Sequence, residues 1–324
     1  MENLNPIVKK LGLNRILLVC VLILMFLVFK VVLGNKFPAV DSIRSTLNYV
    51  YFLGFLSLGV TFVIATGGID FSIGPVMFCC ALISGYTLTT HGISMPVAIL
   101  ISILVGFAFG LFNGYLVAYW SVPSFITSMA SMNIAKGLAS VYTKTQSVSW
   151  PQAADPDNGW FRNLVRYNGF PVGLVILLVA AVICAIILNK TRIGRYILCL
   201  GSNSEAVRLS GVDTKKWNML AYVICGFFAG LASIAYSAIF ATVQPGSGAG
   251  FELEAIGGAI IGGVSMTGGV GSITGTLFGV FVICLLKTGL PFIGLTANWQ
   301  QIITGFVLIA AVLVDILKRK AGKE

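Results

Sequence analysis

Long apolar stretches separated by short polar segments run along most of the chain. A bilayer core of about 30 Å is crossed by roughly 20 apolar residues in a helix, and residues 171–189 form such a stretch without any charged side chain. The pattern predicts an all-α, polytopic membrane helix bundle of about ten transmembrane helices. The predicted spans are 16–34, 47–66, 74–90, 96–119, 124–142, 171–189, 218–241, 252–267, 272–290 and 297–317.

Composition agrees with a chain surrounded by lipid. Hydrophobic residues make up 57% of the 324 positions and charged residues only 10%, less than half the usual share in a soluble domain. The formal net charge of +10 does not indicate a nucleic-acid partner, because the basic residues flank the apolar spans and so act as topology signals. We expect one transmembrane domain over residues 1–324, in contact with membrane lipid and with no nucleic acid.

The basic clusters predict how the chain is oriented. Residues 190–216 and 318–324 are rich in Lys and Arg, and such segments stay in the cytoplasm. An uncleaved first span that starts in the cytoplasm returns both clusters to that side after ten crossings. Without the short, glycine-rich span 252–267, the carboxy terminus would lie outside. Both termini are therefore expected in the cytoplasm, and loop 143–170 on the other face, with Trp150, Trp160 and Tyr167 along the membrane surface.

Two interruptions break the apolar pattern at residues 66–75 and 244–254. Each contains acidic residues and several glycines, and they follow the second and the seventh predicted spans. Interrupted helices at corresponding positions of two halves are the best sequence indication of a transport pathway. The pattern therefore predicts two interrupted segments and a possible inverted repeat.

Polar residues within or beside the spans are candidates for contact with a transported solute. Ionisable groups at membrane depth are costly and often functional, while amide, hydroxyl and aromatic groups suit a neutral sugar or polyol. The candidates are Asp70, Ser72, Asn113, Phe125, Thr127 and Glu252.

A structural role explains the same residues. Asp70, Glu252 and Glu254 lie where a carboxylate is favoured by the free N–H groups at the start of a helix. The neutral groups can form hydrogen bonds between helices, and Lys136 and Lys287, near predicted span ends, can anchor at the interface. Both readings stay open at this point.

No motif for chemistry within this chain is present. The sequence has no G-x-x-x-x-G-K-[ST] loop, no G-x-S-x-G turn and no H-E-x-x-H pair, so we expect neither a nucleotide site of its own nor enzymatic activity. The seven cysteines lie mostly in apolar runs without a CxxC pair, and His91 is the one histidine. We expect no metal site and no cofactor in this chain.

Small residues recur at the spacing that allows helices to approach closely. Gly106, Gly110 and Gly114 repeat every four residues, and Gly271, Gly275 and Gly279 do so in a later span. Gly226/Gly230 and Gly258/Gly262 add pairs at the same spacing. Tight helix packing at these faces is expected.

The polar segment 190–216 contains a short capped helix. Asn203 or Ser204 can cap a helix over residues 205–210, and Gly211 can end it. A capped amphipathic helix in a cytoplasmic loop indicates a docking element for a soluble partner.

Several motifs resemble those of one family, the permeases of ribose- and galactoside-type ABC importers. They are NKTRIGR at 189–195, GSNSEAVRLSGV at 201–212, TGGIDFSIG at 66–74, NGYLVAYWSVPSFITSMASM at 113–132, FELEAIGGAIIGGVSMTGGVGSITGTLFG at 251–279 and WQQIITGFVLIAAVLVD at 299–315. They cover most of the chain in the family's order.

The resemblance implies a bacterial inner-membrane permease that imports a monosaccharide or related solute. Its implied partners are a cytoplasmic tandem ATPase that binds ATP and Mg, an extracytoplasmic sugar-binding protein, and a second permease copy or paralogue. Residues 201–212 then resemble the element coupled to the ATPase, with Asn203, Glu205, Ala206, Arg208 and Gly211 as its candidates.

Two other functions are compatible with parts of the pattern. An ion-coupled secondary transporter could use Asp70 or Glu252 as a proton site, but it leaves the docking helix without a role. A membrane scaffold protein would show no transport defect when deleted.

Overall fold

The computed structural model describes residues 13–34 and 39–321 as a bundle of α-helices. The helices are α1 (Leu13–Leu33), α2 (Ala39–Ala65), α3 (Ile73–His91), α4 (Met95–Tyr119), α5 (Ser124–Tyr142), α6 (Val172–Lys190), α7 (Arg192–Leu209), α8 (Thr214–Phe240), α9 (Phe251–Ile261), α10 (Ile273–Gly289) and α11 (Ala297–Ala321). Short 3-10 helices cover Gly159–Leu164 and Leu290–Ile293. Two strands, β1 (Val148–Ser149) and β2 (Thr242–Val243), pair antiparallel.

The predicted polytopic helix bundle is confirmed. Within the described residues, α2, α3, α4, α6, α8 and α10 are long and apolar enough to cross a bilayer. Shorter apolar stretches lie in α1 and α11, at Leu18–Val31 and Asn298–Leu313. Rows of exposed leucine, isoleucine, valine and phenylalanine side chains on α1, α4, α6 and α11 form the outer surface that lipid would cover.

The two ends of the bundle carry different structures. At one end of the bundle, which we call the α7 end, helix α7 lies beside the last residues of α2. The Gly269 N–H donates there to the Ala65 carbonyl over 3.0 Å. At the other, here the ribbon end, Val148 pairs with Val243. Helices α6 and α8 flank α7 in the chain at the first of these ends, whereas α5 and α8 lead into the two strands at the other.

Helix α8 is the central helix and packs between α2 and α4. A Cβ atom at Gly110 of α4 would lie 2.5 Å from the Tyr222 carbonyl oxygen, and one at Gly114 would lie 2.7 Å from that of Met219. Gly106 meets the backbone of Gly226 and Gly230 in the same way. The predicted close packing is confirmed here, because only glycine permits this approach.

A second glycine contact joins α9 to α10. Gly262 faces the backbone of Gly275, and Gly279 faces the carbonyl of Gly258. Gly271 belongs to the same sequence repeat but precedes α10 and packs against Leu188 and Leu198. The glycine repeat therefore begins before α10, and only Gly275 and Gly279 belong to the helix.

The predicted helical span 252–267 is wrong in its second half. Helix α9 ends at Ile261 after 11 residues, a length of about 16 Å. Residues 262–272, here the α9–α10 loop, contain Gly263, Gly268 and Gly269 at positive φ, a conformation that ends a helix. The apolar character of the loop concealed the break.

Three other expectations also need correction. Helix α2 begins at Ala39, eight residues before the predicted 47, because its polar first two turns are helical as well. Lys287 is not an interface anchor, since its Nζ lies 2.6 Å from Oε1 of Glu254. Trp150 does not lie along the surface: it is 1% exposed, stacks on Phe161 and donates from Nε1 to the Ala81 carbonyl.

Candidate functional site

The two interrupted segments meet inside the bundle at the starts of α3 and α9. A Cβ atom at Gly74, in the first turn of α3, would lie 2.5 Å from Oε2 of Glu252 and 3.1 Å from its backbone nitrogen. It would also lie 2.9 Å from the Gly248 carbonyl oxygen. Gly74 therefore permits two helix N-termini to face each other, each with a carboxylate beside it.

Asp70 belongs to a buried chain of hydrogen bonds that connects three helices. Its Oδ1 accepts from the backbone N–H and the hydroxyl of Ser72, over 2.8 and 2.6 Å. The Asn113 amide of α4 donates to the Ser72 hydroxyl over 2.9 Å, and Ser131 of α5 donates to the Asn113 carbonyl oxygen. Asp70, Ser72 and Asn113 are each at most 2% exposed, so this network fixes the start of α3 against α4 and α5.

Glu252 holds the opposite helix start. Its Oε1 accepts from the Gly250 N–H over 3.0 Å, a contact that favours the first turn of α9. Its Oε2 is buried and, within the described structure, has no hydrogen-bond partner. Oε1 thus has a structural contact, whereas Oε2 remains available to accept a hydrogen bond.

The remaining predicted pathway residues lie on α5. Thr127 is 2% exposed, and no hydrogen bond to its hydroxyl is found in the described part of the chain. Phe125 is 51% exposed and points away from the bundle. The structure therefore brings Asp70, Ser72 and Asn113 into one network and places Glu252 beside it, whereas Phe125 lies outside.

Helix α5 also carries polar groups, Asn133 and Lys136, that the sequence analysis did not assign to a solute pathway. Its buried residues form one stripe, which consists of Thr127, Ser128, Ser131, Ala135 and Ala139. Asn133 and Gly137 are exposed, and Lys136 is half-buried. Polar groups on the outside of a helix at membrane depth are expensive in lipid, so this face calls for water or another protein. The sequence signal for this face is the pair of polar residues Asn133 and Lys136, which are three residues apart.

A second acidic site lies on the other side of α9, and the sequence named Glu254 there without its partner. Lys287 of α10 pairs with Glu254 and also lies 4.4 Å from the Phe251 ring centroid and 5.1 Å from that of Tyr49. The pair borders a cavity of about 420 Å³ between α9 and α11, whose lining includes Gln300, Gln301 and Thr304. Glu252 and Glu254, two residues apart on a helix, therefore serve opposite faces.

The short helix predicted over residues 205–210 is present as the second part of α7. Asn203 has extended backbone angles, which bend the helix there, and its Oδ1 accepts from the Ala206 N–H over 3.0 Å. Gly211 has a φ of +78° and ends the turn. Of the two caps predicted, Asn203 is the one used, and the first part of α7, residues 192–202, extends beyond the predicted helix.

Residues 202–211, here the docking segment, project from the bundle. Only Val207 among them is buried, and Leu209 is 74% exposed. Glu205 and Arg208 form a two-contact ion pair over 2.5 and 3.0 Å. The hydrogen bond from Arg208 lowers the pKa of Glu205, and the same contact raises the pKa of Arg208. The segment thus presents an ordered, charge-paired and partly apolar surface.

The sequence profile of one protein family matches residues 42–312, which is most of the chain. The family is described as the permease component of the branched-chain amino acid transport system. The chain belongs to this family of permeases.

Individual relatives refine the assignment. The permease is 34% identical over 290 residues to ribose import permease protein RbsC of Escherichia coli (strain K12), covering 89% of both chains. It is 30% identical over 285 residues to autoinducer 2 import system permease protein LsrC of Photorhabdus luminescens, covering 88% of this chain and 84% of that one. Fructose import permease protein FrcC of Rhizobium meliloti is 29% identical over 311 residues, covering 93% of this chain and 85% of the relative. No solved structure shows a significant match.

These comparisons confirm the predicted family, the monosaccharide-type ABC permeases. The permease is therefore a multi-pass membrane protein and a transporter subunit rather than an enzyme.

Proposed function

We propose that this chain is the transmembrane subunit of an ATP-driven importer for a monosaccharide or a related small polar solute. A cytoplasmic tandem ATPase, which binds ATP and Mg, would drive it, an extracytoplasmic sugar-binding protein would supply the solute, and a second permease copy or paralogue would complete the pathway. The observation that carries the proposal is the docking segment, an ordered and exposed surface at the end of the bundle where the basic residues collect. An ATPase is the partner that such a surface would serve in this family.

The course of the chain supports ten crossings with both termini in the cytoplasm. Helix α9 alone is too short to cross, but the segment 241–250 descends from the ribbon end along α3, with Gly248 against Phe78 and Glu252 against Gly74. This segment and α9 together make one crossing. Helices α1 and α11 then start and end at the α7 end, where α7 carries Arg192, Arg195 and Arg208, and the positive-inside rule makes that end cytoplasmic.

An inverted repeat is supported by the same two segments. In one half, α2 leads to residues 66–72 and then to α3, which starts inside the bundle and rises to the ribbon end. In the other half, α8 leads to residues 241–250 and then to α9, which starts opposite α3 and runs to the α7 end. Irregular backbone of this kind occurs at membrane depth only where protein or a polar pathway surrounds it.

The solute pathway is proposed to pass between the exposed face of α5 and a second permease subunit. The polar groups of that face, Asn133 and Lys136, are then shielded from lipid. Of the predicted pathway residues, Phe125 and Glu252 are proposed to border the solute, while Asp70, Ser72, Asn113 and Thr127 support the helices that do. A neutral hydroxylated solute suits this mixture of amide, hydroxyl and aromatic groups.

Reconstitution of the wild-type permease and of variants of the docking segment tests the proposal. The wild-type permease with its ATPase and binding protein in liposomes is expected to take up the solute only with ATP. Replacing Glu205 with Arg reverses half of the exposed ion pair, and is expected to reduce uptake at least tenfold and to weaken ATPase retention. Exposed Ser204→Ala is the matched control.

The outcomes separate the alternatives. Uptake by the permease alone, driven by a proton gradient, would establish the ion-coupled transporter instead. Normal ATP-dependent uptake by Glu205→Arg would show that the docking segment does not receive the ATPase.

A further inference from the structure

Three distant parts of the chain meet at the base of the docking segment mainly through backbone atoms, with the small Ser202 hydroxyl beside Gly269. They are residues 201–202 of α7, residues 65–67 at the end of α2, and residues 268–269 of the α9–α10 loop. A Cβ atom at Gly201 would overlap the Ala65 carbonyl and the Gly269 nitrogen, and would lie 2.8 Å from the Gly268 Cα. One at Gly268 would lie 2.7 Å from the Gly201 Cα and 2.8 Å from the Gly67 nitrogen. We call these contacts the glycine junction.

The glycine junction is held by more than van der Waals contact. The Gly269 N–H donates to the Ala65 carbonyl over 3.0 Å, which ties the α9–α10 loop to the end of α2. Gly67, Gly268 and Gly269 all have φ near +80°, a conformation that costs other residues roughly 1–2 kcal/mol. Glycine is therefore required here twice, for space and for backbone conformation.

The position of the junction connects the docking segment with both interrupted segments. On one side, the bend of α7 at Asn203 follows Gly201 and Ser202 directly. On the other side, residues 66–72 lead to Asp70 and the start of α3, and the α9–α10 loop leads back through α9 to Glu252. Both helix starts that face each other inside the bundle are thus anchored, through short backbone paths, at one point beneath the docking segment.

We infer that the glycine junction transmits movement of the docking segment to α3 and α9 together, so that Gly201, Gly268 and Gly269 are positioning residues for transport. This inference rests on the proposed function, because it assumes an ATPase that moves the docking segment. At Gly201 and Gly268 backbone meets backbone, so these contacts have no long, rotatable side chain that could absorb a displacement. A shift of α7 is therefore passed on to both segments rather than lost at the contact.

The test uses the complete importer in liposomes, with uptake and ATP hydrolysis measured together. Gly201→Ala is expected to keep the ATPase bound and hydrolysing at its basal rate, but to lose stimulation by the loaded binding protein and to move at least tenfold fewer solute molecules per ATP. Gly257→Ala is the matched control, because its Cβ would meet only the ends of the Leu308 and Ile283 side chains, at 3.5 and 3.9 Å. An unchanged ratio of uptake to ATP hydrolysis in Gly201→Ala would overturn the inference.

A milder variant covers the case in which Gly201→Ala does not assemble. Gly67→Ala leaves the new Cβ 3.5 Å from the Thr267 carbonyl oxygen, an ordinary contact, but demands a φ of +84° from an alanine. It is expected to assemble and to hydrolyse ATP at the basal rate, but to move at least twofold fewer solute molecules per ATP than Gly257→Ala. An assembled Gly67→Ala importer with the same ratio of uptake to ATP hydrolysis as Gly257→Ala would contradict the inference. The proposed function is tested separately, by ATP-dependent uptake of the wild-type importer.

Discussion

At the scale of single residues, two sets of buried polar contacts lie beside the interrupted segments of this permease. The Asp70 network is neutral apart from its carboxylate and connects helices through hydroxyl and amide groups. The Glu254–Lys287 contact is an ion pair whose side chains keep 13% and 22% of their exposure. Each removes polar atoms from a lipid-like interior, where an unpaired donor or acceptor is costly.

Loss of Lys287 should destabilise the protein more than loss of the whole ion pair. Lys287→Met leaves the Glu254 carboxylate without its cation. We expect the free energy of unfolding to fall by about 3 kcal/mol, which is the low end for breaking a buried pair, because both side chains are partly exposed. Thermal unfolding in detergent measures this effect. Glu254→Gln combined with Lys287→Met should recover most of the loss, and a double variant as unstable as Lys287→Met would contradict the pairing.

Asn113 should matter for stability because it both donates and accepts in the buried network. Asn113→Leu leaves the Ser131 hydroxyl without this acceptor and removes one donor from the Ser72 hydroxyl, which keeps its bond to Asp70. A buried unsatisfied group costs about 1–3 kcal/mol. We expect a clearly lower unfolding temperature. Phe112→Leu is the control, since Phe112 is 44% exposed on the outer face of α4. Equal stability of the two variants would argue against the network.

Sequence alone identified the residues of this network but not their connections. Asp70, Ser72 and Asn113 were selected because polar groups are rare in apolar spans. Their contacts span 41 residues along the chain, and no local pattern reports such a distance. For the same reason Lys287 was assigned to the interface, although its partner Glu254 lies 33 residues away.

At the scale of elements, glycine spacing proved a reliable guide to helix contacts. The pairs Gly106–Gly226 and Gly258–Gly279 join helices whose backbones nearly touch. Helix boundaries were also predictable where the span was continuous, and α5 covers 124–142 as expected. Boundaries failed at α9, because hydropathy does not distinguish a helix from an apolar loop rich in glycine.

Gly110→Ala should separate α4 from α8. The added Cβ would meet backbone atoms of Tyr222, Val223 and Gly226 at 2.5 to 3.1 Å, and backbone cannot move aside as a side chain can. We expect the free energy of unfolding to fall by about 1–3 kcal/mol, as for overpacking in a core. The unfolding temperature should fall with it. Gly137→Ala on α5 has no atom within 4 Å of the new Cβ and should be neutral or stabilising. A stable Gly110→Ala would mean that α4 and α8 pack less closely than described.

At the scale of the whole molecule, orientation follows from parity rather than from any single helix. Each crossing reverses direction, so one error in counting would exchange the two faces for every later loop. Basic residues provide the independent check, since residues 190–216 and 318–324 together carry ten of the 21 Lys and Arg residues. Helix α9 is too short to cross the bilayer by itself. It counts as a crossing only because the extended segment before it, residues 241–250, covers the rest of the bilayer.

Cysteine labelling with a membrane-impermeant maleimide should separate the two faces. In intact cells without native cysteines, Lys144→Cys, in the loop at the ribbon end, is expected to react, whereas Ser204→Cys in the docking segment should react only after the membrane is opened. Both side chains are exposed, so access to reagent alone decides the result. Labelling of Ser204→Cys in intact cells would invert the proposed topology.

The short helix α9 has a consequence for how the protein is made. A segment of 11 helical residues preceded by an extended, glycine-rich stretch is a poor candidate to enter a bilayer by itself, because its free backbone groups need partners. Its partner is α10, which is synthesised only after it. The two should therefore leave the translocon as a hairpin closed by the contact of Gly262 with Gly275, and bulky residues at these glycines should reduce the yield of inserted protein before any question of transport arises.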